Sequence, residues 1–271
     1  LTFPAVDQAG FTFTGSRPAL RIVSLVPSQT ELLFFLGAEK QVVGVTKFCI
    51  HPAKAKSTCA VVGGTKNPNL EQIRQLAPDL ILGNKEENDQ ASIERLRQEF
   101  PVWLTDIVSL ADVYAMIGAV GQLTDTQPPA TALIQQLQKA FSTFVKPLPQ
   151  RLVYLIWRNP YMAAGQQTFI NSMLEAGGFL NVVQQPRYPE LTLAEIRNLD
   201  PEVIFLSSEP YPFAEKHIAE LQAAVPTAQI KLVDGELFSW YGSRLLAAPA
   251  YFQELYETLM PTDSRSTQKD G

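Results

Sequence analysis

Cys49 and His51 stand two residues apart in the stretch KFCIHP at 47–52. In an extended segment that spacing puts both side chains on one side, where thiolate and imidazole suit a soft or borderline metal, or a metal complex. A purely structural role for both is the competing reading. Glu86 and Glu87 form a carboxylate pair that would either grip a cation or solvate a loop. The stretch FSWYGSR at 238–244 holds Trp240 and Tyr241, adjacent aromatics that point apart in an extended chain, one toward a ligand and the other into the core. Arg244 in the same stretch would pair with a carboxylate or phosphate edge, or brace the loop. His217 falls in a predicted helix beginning near Pro212 and reads as a surface or capping residue.

Signatures of catalysis are missing. There is no GxSxG elbow, GxGxxG fingerprint, P-loop or HExxH, and GGTKN at 63–67 lacks the spacing of a phosphate loop. With two histidines in the chain, no Ser-His-Asp site is signalled. No catalytic residue and no catalytic cofactor is assigned, and a non-enzymatic binding role is expected.

The elements that must position these residues alternate between strand and helix. A β-rich run at 21–26 leads through Pro27-Ser28-Gln29-Thr30, with Ser28 or Thr30 as N-cap, into a helix that stops at Gly37. Strands are predicted at 41–46, 80–82 and 102–105, and helices at 70–76 and 90–100. The second half repeats the scheme, with strands near 152–157, 203–207 and 230–233. The alternation predicts an α/β fold with parallel sheets. Such sheets bind ligands beyond the carboxyl ends of their strands. The residues there are polar and aromatic: Lys47, Phe48, Cys49, His51, Lys66, Lys85, Glu86 and Glu87 in the first half, and Trp157, Arg158, Tyr161, Glu209, Tyr211, Glu236, Trp240, Tyr241 and Arg244 in the second. Aromatic walls with a few fixed charges suit a large, partly planar ligand with polar edges, held in a cleft between two lobes.

Two lobes are implied by an internal repeat. Sliding the sequence by 123 positions places Leu70, Ile73, Arg74, Leu76, Pro78 and Ile81 on Leu193, Ile196, Arg197, Leu199, Pro201 and Ile204. A second echo has Gly37 followed by Val42-Val43 and Gly177 followed by Val182-Val183 at the same distance. Between the halves, Leu133, Leu137, Ala140, Phe141 and Phe144 recur at helical spacing within 128–145. At about 1.5 Å per residue that helix would run roughly 27 Å. The expected layout is an N-terminal lobe over 1–126, a long rigid connecting helix over 127–147 and a C-terminal lobe over 148–271, with the polar tail from Thr262 frayed.

Composition narrows the class further. Of 271 residues 46% are apolar and 18% charged, as in globular proteins. The net charge of -5, without a basic run, argues against nucleic acid. No apolar stretch reaches the 18 residues of a membrane span. Cys49 and Cys59 permit one disulfide or none. Leu1 in place of Met reads as a mature or trimmed chain.

The ordered set RIVSLVPSQTELLFFLG at 21–37, VGVTKF at 43–48, NLEQIRQLAPDLIL at 69–82, NPYMAAGQQTFINSMLEAGG at 159–178 and LAEIRNLDPEVIF at 193–205 resembles the substrate-binding proteins of ABC importers for cobalamin, haem and iron siderophores, the helical-backbone metal receptors. The likeness covers roughly residues 20–260 and is nearest the cobalamin-binding branch. It implies two α/β lobes joined by one long helix, a periplasmic or other extracytoplasmic location, a monomer, and a permease as partner. Positions matching the family's aromatic cage hold Phe48 and Tyr188, with Trp240 in the loop closing the other side. Two further cage tryptophans fall on Thr65 and Asn84, and a family acidic residue falls on Glu236. Cys49, His51, Glu86 and Glu87 have no counterpart in that pattern, which keeps a different metal complex in view. Arg244 and Lys66 or Lys85 would orient the ligand by charge. Of the acids through which members dock on the permease, the first-lobe one matches Glu71. In the second lobe Ala194 stands at the matching position with Glu195 beside it. An acid in the first turn also stabilises a helix without any partner. Two alternatives stay open: direct capture of a metal ion by Cys49, His51 and carboxylates such as Glu86 or Glu209, and an enzyme acting on a metal cofactor.

Overall fold

A computed structural model of the chain describes residues 6–15 and 18–259; the tail from Thr262 lies outside the described residues. The chain divides into two compact units. The first runs to Lys139 and also takes Tyr241–Ser243, and the second comprises Ala140–Trp240 and the chain from Arg244 onward.

The first unit is built on β1 (Ile22–Ser24), α1 (Pro27–Phe35), β2 (Val42–Val45), α2 (Ala55–Thr58), β3 (Ala60–Val61), α3 (Leu70–Leu76), β4 (Leu80–Asn84), α4 (Gln90–Arg97), β5 (Val102–Thr105) and α5 (Leu110–Thr124). Its strands form one sheet in the order β3-β2-β1-β4-β5, every neighbour parallel. Helices cover both faces of such a sheet, so β1 and β4 are buried along their whole length and read as continuous apolar runs. Val23, Leu25, Ile73, Ile81, Ile93 and Leu104 form the core beneath the strand ends.

The start of α1 differs from the sequence expectation. Val26, in extended conformation, is the N-cap and Pro27 opens the helix, while Ser28 and Thr30 are buried inside it. Pro is suited to that first position because its missing N–H would lack an intrahelical partner. The Thr30 hydroxyl turns back to the Val26 carbonyl at 3.1 Å and to Ser24 Oγ at 2.8 Å.

α6 (Gln127–Thr143) carries the chain from the first unit into the second, with Ala130, Leu133 and Leu137 as its buried stripe. It covers most of the predicted helix and ends before Pro147. The second unit continues with β6 (Arg151–Trp157), β7 (Tyr161–Ala163), α7 (Phe169–Ala176), β8 (Leu180–Asn181), β9 (Glu190–Leu191), α8 (Leu193–Asn198), β10 (Val203–Ser207), α9 (Glu215–Ala224), β11 (Gln229–Val233), α10 (Glu236–Ser239) and α11 (Ala248–Leu259). Strand order is β11-β10-β6-β7-β9, with β8 also pairing β6. β6, β10 and β11 are parallel as expected and β8, not foreseen, joins β6 in parallel, whereas β7 pairs antiparallel with both β6 and β9, so this sheet is mixed.

The two units repeat one design. α3-β4 and α8-β10 start at positions related by the 123-residue shift, 70 and 193 for the helices and 80 and 203 for the strands. The glycine echo is real but slips by one residue. α1 ends with Gly37 at φ +85°, Gly37 N–H bonding Phe34 O and Ala38 N–H bonding Leu33 O. α7 ends in the same pair of bonds with Gly178 at φ +84° as the left-handed residue, Gly178 to Glu175 O and Phe179 to Leu174 O. Both close a helix in the Schellman manner, where only glycine enters the left-handed region without steric cost. Gly178, not Gly177, is therefore the counterpart of Gly37.

Candidate functional site

In the first unit the strand-end loops are tied together by amides. Asn84, at the end of β4, accepts the backbone N–H of Glu86 at 2.8 Å and of Glu87 at 3.1 Å on its Oδ1, which folds the carboxylate pair into a tight turn. Asn88 Oδ1 accepts Asn84 N–H at 2.8 Å, and its Nδ2 donates to Leu25 O and Thr65 O at 3.2 and 2.9 Å. One side chain thus joins the loops after β1, β3 and β4, at the point where strand order reverses. Gln29 Nε2 and Asn84 Nδ2 both donate to Thr105 Oγ1, at 2.7 and 3.1 Å.

The expected charges are engaged within these loops. The Lys66 ammonium donates to the Glu86 carbonyl, and Lys85 pairs with Asp106 at 2.7 Å. Phe48 follows β2 with half of its surface exposed, 50%, and the Lys47 ammonium lies 5.0 Å from its ring centroid.

Cys49 is a correction to the sequence reading. Instead of lining the rim it is wholly buried, with Sγ 3.1 Å from Thr30 Oγ1 and 3.3 Å from Thr46 Oγ1. Burial pushes its thiol upward, and the two threonine hydroxyls offset only part of that. The sulfur therefore behaves as a small core side chain. His51, two residues on, is partly exposed where Cys49 is not. Among the described residues no three His, Cys, Asp or Glu side chains gather as metal ligands. Both cysteines are free, with Cys59 Sγ 3.3 Å from Val42 O.

In the second unit Trp157 ends β6 with 39% of its surface exposed and meets Tyr211, from the loop after β10, edge-on at 5.6 Å between centroids. Arg158 bonds Glu220 at 2.6 Å, and the Tyr161 hydroxyl donates to the same carboxylate at 2.8 Å. Burial works against ionisation of Glu220, but Tyr161 and Arg158 outweigh it and hold the carboxyl below the usual range. Tyr161, buried and beside that carboxylate, is pushed up to about 12. Glu220 lies on α9, far along the chain from Arg158, and no spacing in the sequence announces the pair. His217 caps α9 as one expected reading had it, Nδ1 accepting Ala214 N–H at 2.9 Å, but it is 4% exposed and so not a surface residue.

Trp240 and Tyr241 do point apart, yet neither faces solvent: they are 8% and 5% exposed. Each polar tip finds a carboxylate. Trp240 Nε1 donates to Glu209 Oε1 at 2.9 Å within the second unit, and the Tyr241 hydroxyl donates to Glu87 Oε1 at 2.8 Å within the first. Ser239 Oγ also donates to Glu209, at 2.7 Å. Burial raises the Glu209 carboxyl, with Ser239 opposing and the Glu236 charge adding to the rise. Arg244 braces the same loop, 2.9 Å from Glu236 and 5.1 Å from the Trp240 ring centroid.

Tyr188 stands just before β9, with the Arg187 guanidinium 5.7 Å from its ring centroid. Its neighbour Pro189 accepts Ala163 N–H, which puts it beside the far end of β7 from Tyr161 and apart in register from the loop after β6. Glu71 occupies the second position of α3 with a 68% exposed side chain, 3.3 Å from Arg74. Glu195 stands one position later in α8. Its carboxylate closes a capping box, accepting Thr192 N–H and Oγ–H at 2.7 Å each, which holds it below the usual range.

Comparison with known proteins follows the same lines. The sequence profile described as periplasmic binding protein matches residues 22–233. An uncharacterized ABC transporter substrate-binding lipoprotein, YvrC of Bacillus subtilis (strain 168), is 28% identical, covering 94% of this chain and 84% of the relative. The vitamin B12-binding protein of Pectobacterium carotovorum subsp. carotovorum (strain PC1) is 24% identical, covering 90% and 91%. Among solved structures, the periplasmic vitamin B12 binding protein BtuF of Vibrio cholerae superposes with a TM-score of 0.77 at 22% identity, over 89% of this chain and 98% of that one. The periplasmic haem-binding protein BhuT in complex with two haems gives 0.76 at 22%, over 89% and 99%.

Proposed function

The chain belongs to the periplasmic binding protein family, and on that premise we propose that it captures a metal chelate, a corrinoid such as cobalamin foremost, and delivers it to an ABC importer outside the cytoplasm. The family is one of binding proteins, not of enzymes. Among the described residues no helix is long and apolar enough to cross a membrane.

One observation carries the ligand class. Phe48 and Trp157 are large aromatic side chains left 50% and 39% exposed at the carboxyl ends of parallel strands, one in each unit. Exposed rings at strand ends are where parallel sheets receive ligands, and a flat macrocycle buries such rings effectively. Relatives named for vitamin B12 and the haem-bound fold both take ligands of this kind. A bare ion is less suited, since Cys49, the softest candidate ligand, is turned inward onto Thr30 and Thr46. Lys66, Lys85 and Arg244, expected to orient the ligand, are engaged with the Glu86 carbonyl, Asp106 and Glu236.

For docking, Glu71 is the favoured acid on the first unit. In the second unit Ala194 stands at the matching position, and its neighbour Glu195 is engaged in a capping box. Native mass spectrometry with cyanocobalamin, hemin, a ferric siderophore and free cobalt, iron and zinc ions tests the reading. Retention of an intact chelate supports it, and uptake of free ions alone would refute it.

A further inference from the structure

Trp157 does not stand alone at the end of β6. Tyr211 meets its indole with the ring planes at 68°, and the Tyr211 backbone N–H reaches Ile156 O at 3.4 Å, tying the loop after β10 to the strand that carries Trp157. Behind Tyr211 lie Phe213, 4.8 Å away between centroids, and His217, at 5.5 Å. The Tyr211 hydroxyl and His217 Nε2 are 3.3 Å apart. Because His217 Nδ1 accepts the Ala214 N–H, the proton of the neutral ring is assigned to Nε2, which then donates to the Tyr211 oxygen. Burial is graded along the series: His217 is 4% exposed, Phe213 7% and Trp157 39%.

The geometry points to Tyr211, held by His217, as the positioning residue that fixes the orientation of the Trp157 indole and with it the affinity for a planar metal chelate. The inference rests on Trp157 meeting the ligand. A half-exposed tryptophan with nothing behind it would have to be ordered on binding, whereas an edge-to-face partner anchored at its own far end orders it beforehand. Immobilising one such side chain corresponds to a roughly three- to tenfold change in affinity.

Two readouts test it, with cyanocobalamin and hemin as probes. Acrylamide quenching of tryptophan fluorescence reports Trp157, since Trp103 and Trp240 are 1% and 8% exposed. Tyr211→Ala is expected to raise quenching and to weaken the tighter probe about fivefold, while losing less than about twofold when Trp157 is already Ala. Tyr211→Phe, which keeps the ring but drops the link to His217, should fall between wild type and Tyr211→Ala in both readouts. Equal losses in the two backgrounds, or unchanged quenching in Tyr211→Ala, would overturn the positioning role. If Trp157→Ala leaves affinity for both probes unchanged, ligand contact by Trp157 fails instead, and quenching alone still decides whether Tyr211 holds the ring. Should Tyr211→Ala fail to fold by circular dichroism, Tyr211→Leu takes its place.

Discussion

Arg151 makes in the second unit the bonds that Arg21 makes in the first. Arg21 Nη2 and Nε donate to Leu76 O, the last residue of α3, at 2.6 and 3.0 Å, and its backbone N–H donates to Asp79 at 2.8 Å. Arg151 Nη2 donates to Leu199 O and Nε to Asp200 O at the end of α8, and its N–H donates to Glu202 at 2.8 Å. Leu199 and Glu202 are Leu76 and Asp79 shifted by 123. In each unit a guanidinium satisfies the open carbonyls at a helix C-terminus, where positive charge is favoured, and locks that helix to the first strand of the sheet.

Replacing either arginine by Ala should therefore destabilise its own unit to a similar degree. Both sites are exposed, so the expected cost is about 1 kcal/mol, or a fall of roughly 3 °C in melting temperature. Thermal unfolding by circular dichroism measures it. A loss confined to one variant would mean that the repeat is formal and not energetic.

This arginine pair also marks how far the sequence could be read. The helix-strand repeat at 70–82 and 193–205 was legible because its apolar spacing and Pro78/Pro201 survive in both copies. Arg21 and Arg151 were not legible as counterparts, because the insertion between the first strand and α3 differs in length from that between β6 and α8 and breaks the 123-residue register. The strand-end loops were found from topology alone. Side-chain direction within them was not: Cys49 and His51 have the right spacing for a shared face, but the chain turns at 46–50, where Cys49 N–H bonds Thr46 O and Ile50 N–H bonds Phe48 O. Nor could spacing reveal that Trp240 and Tyr241 each end on a carboxylate, Glu209 and Glu87.

Glu209 predicts a pH dependence. Burial holds its carboxyl above the ordinary range, so the folded chain keeps a proton that the unfolded chain has released. Between the ordinary glutamate value near ~4.3 and the raised one, stability must fall as pH rises. Glu209→Gln keeps an oxygen acceptor for Trp240 Nε1 and Ser239 Oγ but cannot ionise. It should melt higher than wild type at pH 7 and equal to it at pH 4. A variant less stable by the same amount at both pH values would disprove this.

Tyr241→Phe tests the carboxylate contact in the first unit. The ring is buried, and its hydroxyl donates to Glu87 at 2.8 Å, so deletion removes a charge-assisted bond from a site with little water. The expected cost is about 2 kcal/mol by urea unfolding, and Glu87→Gln, which still accepts, should cost less. Equal and negligible costs would show that the contact contributes nothing.

The buried thiols predict slow chemistry. Cys49 is 0% and Cys59 9% exposed, and burial raises both thiols above the ordinary range. Iodoacetamide at pH 7.5 should label neither at an appreciable rate in the folded protein and both after unfolding, by intact mass. Rapid labelling of Cys49 alone would return it to the protein surface and revive it as a ligand.

Calorimetric titration with cyanocobalamin, for the wild type and for a Phe48→Ala, Trp157→Ala double variant, tests corrinoid binding most directly. The expected outcome is one intact cyanocobalamin per chain, bound at least about tenfold more weakly by the double variant, which corresponds to roughly 1.4 kcal/mol of lost ring stacking. No binding of cyanocobalamin by the wild type, or binding as tight in the double variant as in the wild type, would contradict a corrinoid site at these rings.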